Sequence, residues 1–222
     1  MTKKTVMLIL GGSLVWFGLM ILSYHRFDLL LARHIYALKL PTDNGTFLFY
    51  YTKLGLGTYN AIFFVLLFLI SCLVIRRVRI VARTGYLLLT VALAGVLCDV
   101  VKVIFGRMRP SLYFRHHEYG FSFSVLHRIH HSRYESFPSG HSTISASVAV
   151  ALLLLFPKLR IPAILFMFSI AVSRVLRLDH YLSDVMAGMY IGTMTSLLLY
   201  HYVYLPCINS DLLSQRIGWL QS

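Results

Sequence analysis

Long apolar blocks alternate along the chain with short segments rich in basic and aromatic residues, a pattern that predicts membrane-spanning helices. Six blocks stand out: Val6 to Leu22, Ala61 to Ile75, Tyr86 to Val103, Thr143 to Phe156, Ile161 to Leu176 and Val185 to Tyr204. Several are shorter than the roughly 20 residues that cross a bilayer, the fourth in particular, so their helices are expected to run into the flanking segments or to sit beside thinned lipid. Lys3 and Lys4 precede the first block as in a signal peptide, but no small-residue cleavage site follows, and the block reads as an uncleaved span.

Between the first two blocks, Phe27, Leu30, Leu31, Ile35 and Leu38 recur at helical spacing opposite Asp28, Arg33 and Lys39. That spacing predicts an amphipathic helix on the membrane surface, ended by Pro41. The aromatic run Phe47, Phe49, Tyr50 and Tyr51 fits an interfacial belt as well as it fits ordinary packing. The expected fold is an all-α polytopic membrane protein with about six transmembrane helices and a surface amphipathic helix. Without internal repeats or a soluble linker, it forms one domain over residues 1–222.

Composition agrees: 58% of residues are hydrophobic and 13% charged, where soluble domains carry about 25% charged residues. A formal net charge of +13 suits nucleic acid or anionic lipid, and the apolar blocks decide for a phosphorylated membrane lipid; nothing resembles a nucleic-acid module. Cys72, Cys98 and Cys207 show no metal or redox spacing and read as packing residues.

Placing Lys3, Lys4, the cluster Arg76, Arg77, Arg79 and Arg83, and the Lys158 to Arg160 turn in the cytoplasm puts both termini inside. Twelve of the 21 Lys and Arg residues then lie outside, against the simple positive-inside rule, and call for a functional account. The expected location is a bacterial inner membrane, with the site facing the periplasm or exterior.

Those outer charges converge. The ends of the third and fifth spans and the starts of the fourth and sixth share one surface, which carries Lys102, Arg109 and Pro110, then Pro138, Ser139, Gly140 and His141, then Ser173, Arg174, His180 and Asp184. His180 and Asp184 are four apart and share a face if helix runs through them, so the carboxylate is expected to orient the imidazole and leave its other nitrogen free to attack phosphorus. His141 opens the fourth span, from where it can protonate the leaving oxygen and later help activate water. Ser139 and the amides around Gly140 lie near a helix N-terminus that favours an anion. Lys102, Arg109 and Arg174 can clamp the phosphoryl oxygens. No HExxH, paired-carboxylate or Cys/His cage appears, so neither a metal nor another cofactor is expected.

These three pieces resemble the signature of the type 2 phosphatidic acid phosphatase superfamily: Lys-x6-Arg-Pro, Pro-Ser-Gly-His and Ser-Arg-x5-His-x3-Asp, all 11 positions of which match within 102–184. The resemblance implies a metal-independent lipid phosphatase working through phosphohistidine on His180, and it implies that Ser173 also touches the phosphate. The segments around FGRMRP, YGFSF and SFPSGHS look most like bacterial envelope members that act on lipid A, undecaprenyl diphosphate or phosphatidylglycerophosphate. The basic and aromatic segment from Ser111 to Phe137, with Arg115, Arg128 and Arg133, is the expected head-group lid. Two other readings stay open: a phosphotransferase that passes the phosphoryl group to a second lipid, and a non-enzymatic lipid-binding or transport protein.

Overall fold

The computed structural model describes residues 3–41, 45–122 and 134–210. Helix α1 (Lys3–Leu22) runs through a π-helical turn, Ser23–Phe27, into α2 (Asp28–Ala37). A short α3 (Phe47–Thr52) leads by a 3₁₀ turn, Lys53–Gly55, into α4 (Gly57–Ile70), and α5 (Val78–Phe105) returns beside it. After α6 (Pro110–His116) come α7 (Gly140–Leu155), α8 (Arg160–Leu176) and α9 (Leu182–Leu199). There is no β-strand among the described residues, only an isolated bridge between Arg107 and Phe121.

Among the described residues, five helical runs are long and apolar enough to cross a membrane: Lys3–Ala37, Gly57–Ile75, Val78–Phe105, Pro157–Leu176 and Leu182–Ser210. The sixth expected span is the 16-residue α7, and its shortness has a structural reason. This helix is the centre of the bundle, packed by α5, α8 and α9, and Ser142 through Ala149 are all buried. Its small hydroxyl residues satisfy themselves against their own helix, as Ser147 does by donating to the Ile144 carbonyl at 2.8 Å, so a helix screened from lipid by its neighbours carries polar groups at little cost.

The closest helix pair is α7 with α9, and glycine makes it possible. A Cβ on Gly188 would lie well under 3.0 Å from the Ser139 carbonyl, and one on Gly192 would collide with the Thr143 carbonyl and stand 2.8 Å from the Ser147 nitrogen. The pair forms a GxxxG face of the kind that lets helix backbones approach in membranes.

The helix expected near Phe27 to Leu40 is present over Asp28–Ala37, but it continues from the first span as one helical run. Asp28 does not join a solvated face with Arg33 and Lys39. It is 1% exposed, because it lies on the same helical face as the buried Ala32 and Ile35, at i, i+4 and i+7, and pairs there with a buried arginine. Ile35 packs into the core with Val175, Val185 and Met189, while Leu30 and Leu38 stay exposed.

Candidate active site

Four helix ends meet at one end of the bundle. Lys102 lies in the last turn of α5, Gly140 begins α7, Arg174 lies in the last turn of α8, and α9 begins just after His180. Helix α5 stops there because Gly106 takes a left-handed conformation, φ +52°, while its N–H bonds the Lys102 carbonyl. Pro110 then opens α6 at its first position, where its missing N–H costs nothing.

A cavity of about 490 Å³ opens between these ends. It brings together Lys102, Arg109, Gly140, His141, Arg174 and His180 from all three motifs. Its other end is apolar and runs between α4 and α5 along Ala61, Val91, Gly95, Val96 and Ile144. A cationic head and an apolar groove thus share one space. The Lys102 ammonium stands over the start of α7, close enough that a Cβ on Gly140 would lie 3.3 Å from it.

The cations are held in place. Lys102 pairs with exposed Asp99 at 3.2 Å, and Arg174 with Asp179 at 3.0 Å. Arg174 also donates to the Thr52 hydroxyl at 3.2 Å, while its Nε is buried without a protein partner. Arg109 reaches the Asp179 carbonyl at 3.4 Å, and Arg177, outside the motifs, shares the Asp179 carboxylate at 2.9 Å.

His180 is 3% exposed and its Nδ1 lies 2.7 Å from the Ser136 backbone carbonyl. A carbonyl only accepts, so Nδ1 carries the proton and Nε2 the lone pair. Burial, followed by the nearby charges of Arg109 and Arg174, holds the imidazole pKa well below its usual value. The ring is therefore neutral at neutral pH.

The expected His180–Asp184 hydrogen bond is not formed: Asp184 Oδ2 stands 4.0 Å from Nδ1. The reason is local. Helix α9 begins only at Leu182, so His180 precedes it and the four-residue spacing does not bring the two side chains onto one helical face. Asp184 turns back instead to accept from the Tyr181 N–H at 2.8 Å and from the Ser136 hydroxyl at 2.6 Å. It supports the residue that holds His180.

Ser139 and Ser173 also stand behind the cavity wall. Ser139 is fully buried, its N–H donates to the Asp184 carbonyl at 3.0 Å, and its hydroxyl accepts from Ser142 at 3.0 Å. Ser173 donates to the Ile170 carbonyl at 2.6 Å and approaches Thr52 at 3.2 Å. Arg115 is exposed on α6, away from the cavity lining; Arg128 and Arg133 lie outside the described residues. Among the described residues, no group of three or more His, Cys, Asp or Glu side chains is placed to hold a metal ion.

Sequence reasoning missed Arg107, which is fully buried. Its Nη1 bonds Ser183 at 2.6 Å and Asp184 at shorter range, and its Nη2 bonds Asp28 at 2.7 Å and Tyr119 at 3.1 Å. The rings of Tyr24, Tyr119, Phe121 and Tyr181 enclose the guanidinium, with centroids 4.5 to 5.5 Å away. Burial alone would lower its pKa, but Asp184 and Asp28 outweigh that and raise it above the guanidinium range. The available signal was an additional arginine two residues before Arg109, within a chain of few charges.

Comparison with known proteins bears on this geometry. A family model described as PAP2 superfamily matches residues 83–206. A lipid A 1-phosphatase of Rhizobium johnstonii is 42% identical over 115 residues, 51% of this chain and 45% of the relative. A lipid A 1-phosphatase of Rhizobium etli is 41% identical over 124 residues, 55% of this chain and 51% of the relative. The aligned region thus spans about half the length of these curated relatives, and no solved structure gave a significant match.

Proposed function

Because the chain belongs to the PAP2 superfamily, we propose that it is an integral membrane lipid phosphatase that hydrolyses a lipid phosphate through a phosphohistidine on His180. The observation that carries this reading is the single cavity in which motif cations and both histidines stand at the head of an apolar groove. A phosphorylated lipid fits that division, with its phosphate among Lys102, Arg109 and Arg174 and a chain along α4 and α5.

In the first step the Nε2 lone pair of His180 attacks phosphorus. A P–N bond forms, the P–O bond to the lipid breaks, and His141 supplies the proton to the departing oxygen. Three fixed cations neutralise the charge on the non-bridging oxygens as that bond breaks. Water, relieved of a proton by His141, then cleaves the P–N bond and releases inorganic phosphate. Asp184 and Ser136 hold the His180 ring, and Ser139 and Ser173 brace the helix ends behind it.

The relatives' names favour lipid A among the candidate substrates, with undecaprenyl diphosphate and phosphatidylglycerophosphate beside it. The reaction faces the periplasm or exterior, with both termini and the Arg76 to Arg83 cluster in the cytoplasm. An impermeant thiol reagent would then label a cysteine placed at Glu118 and spare one at Arg79; the reverse pattern inverts the orientation.

The decisive assay gives purified protein a lipid labelled in its phosphate and quenches it in alkali, where phosphohistidine survives. Wild type is expected to show labelled protein and free phosphate, and His180→Ala, still folded, to show neither. Appreciable turnover by His180→Ala would sink the mechanism, and label passing only to a second lipid would make the protein a phosphotransferase.

A further inference from the structure

Asp28 is fully enclosed, carries four hydrogen bonds and touches nothing in the cavity. It accepts from Ser23 at 3.0 Å, from the Ser183 N–H at 2.9 Å, from the Ser183 hydroxyl, and from Arg107 at 2.7 Å. It sits at the junction of α1 and α2, outside the residues 83–206 that match the family model.

From Arg107 two routes lead to His180. Its backbone carbonyl accepts from the Ser136 N–H at 3.0 Å, and the Ser136 carbonyl in turn holds His180 Nδ1. Its guanidinium bonds Asp184, which binds the Ser136 hydroxyl and the Tyr181 N–H on either side of the ring. Fixing Arg107 therefore fixes both the acceptor of His180 and the backbone next to it. One arm of the guanidinium goes to Asp184 and the other to Asp28, so Asp28 completes the fork that sets its orientation.

Charge points the same way. Asp28 and Asp184 share one guanidinium, which leaves a surplus negative charge behind a ring whose front faces three cations. That charge stabilises the positive charge that develops on His180 when Nε2 is phosphorylated.

We propose that Asp28 is a positioning residue for phosphoryl transfer, acting through Arg107 on His180, so that the first helical run is part of the active-site scaffold. This rests on His180 as the nucleophile. Asp28→Asn keeps the shape and removes the charge. A ring misplaced by about 1 Å loses on the order of 10²-fold in rate, so kcat per folded molecule and the rate of phosphoenzyme formation should fall by about that factor with KM unchanged, and Asp28→Glu should recover part of the loss.

The route through Arg107 is tested by a double-mutant cycle. Arg107→Met leaves two carboxylates facing each other, so adding Asp28→Asn to it should cost no further activity. Where Asp28→Asn does not accumulate in the membrane, Ser183→Ala, which removes a donor to Asp28 and an acceptor of Arg107, is expected to show the same kcat defect. Wild-type kcat per folded molecule in Asp28→Asn, a loss confined to KM, or losses that multiply in the double variant would each overturn the proposal. Wild type and His180→Ala run alongside separate the two readings. No phosphoenzyme in wild type removes the nucleophile, whereas phosphoenzyme forming equally fast in wild type and Asp28→Asn removes only the positioning role.

Discussion

The contact between α7 and α9 allows one substitution to be predicted with opposite outcomes at different positions. Alanine is preferred over glycine in a helix interior by about 1 kcal/mol, so Gly18→Ala, in α1 with nothing within 4 Å of the new Cβ, should leave stability unchanged or raise it. At Gly188 the same methyl meets the Ser139 carbonyl well under 3.0 Å, with Thr143 Oγ1 at 3.0 Å and Ser142 Cβ at 3.2 Å. The nearest atom is backbone, so no side chain can rotate away. The helices must separate by about 1 Å to recover ordinary contact. Overpacking of this kind costs about 1–3 kcal/mol, and with backbone as the obstacle the upper end applies, so after the propensity gain the net loss reaches about 2 kcal/mol, which lowers Tm by about 4–8 °C in a chain of this size. The displaced segment is Ser139–His141, so kcat should also fall by on the order of 10²-fold. Gly192→Ala, one turn further from the site, should match the Tm loss with a smaller effect on kcat. Thermal unfolding of the detergent-solubilised protein and kcat per folded molecule read both effects. If Gly188→Ala behaved like Gly18→Ala, the close contact and its link to the site would be refuted.

Two further predictions concern the histidines. As the proposed nucleophile His180 must be neutral, and its pKa is held well below the usual 6.5 by burial and by Arg109 and Arg174, so the acidic limb of kcat/KM that its protonation sets should lie well below pH 6.5, separate from any limb set by His141; an acidic-limb midpoint at or above 6.5 in both wild type and His141→Ala would contradict the buried, cation-flanked ring. His141→Ala should lose about 10²- to 10⁴-fold with a lipid leaving group and much less with nitrophenol, and equal losses with both would argue against a proton donor.

The parts of this molecule that were legible in its sequence are those set by composition and short spacing. In a chain with 13% charged residues, cations and histidines at span ends are conspicuous, and five of them, Lys102, Arg109, His141, Arg174 and His180, line one cavity. What was hidden depends on partners distant in sequence. Asp28 and Arg107 are 79 residues apart, so a carboxylate in a short amphipathic segment reads as solvated by its charge until the tertiary partner is known, although it shares the buried helical face of Ala32 and Ile35 at i, i+4 and i+7. His180 and Asp184 misled for the opposite reason: their spacing suggests contact only if helix passes through both, and the cap at Tyr181 breaks that condition. Ser139 and Ser173 fall in the motifs, yet a motif position does not say whether a hydroxyl faces the ligand or braces the wall. The four-residue spacing of Gly188 and Gly192 is legible as a close-packing face, but not which helix packs on it.

If His180 is the nucleophile, as proposed, the acceptor at its Nδ1 governs how the phosphohistidine turns over. Once Nε2 is phosphorylated and Nδ1 keeps its proton, the ring is positively charged, and whatever binds Nδ1–H governs how stable that state is. A carboxylate bonded directly would neutralise the ring and tend to take up its proton, leaving a less reactive phosphoramidate. A carbonyl such as that of Ser136 offers a dipole only, at 2.7 Å, so the ring keeps its proton and departs from phosphorus as a neutral imidazole. The counter-charge still required to form the intermediate comes from Asp184 at 4.0 Å, moderated by Arg107, with Asp28 tipping the balance to net negative. In the proposed mechanism, separating the hydrogen bond from the counter-charge would let the site favour formation of phosphohistidine without trapping it, which is what a phosphatase needs if water is to complete the second step.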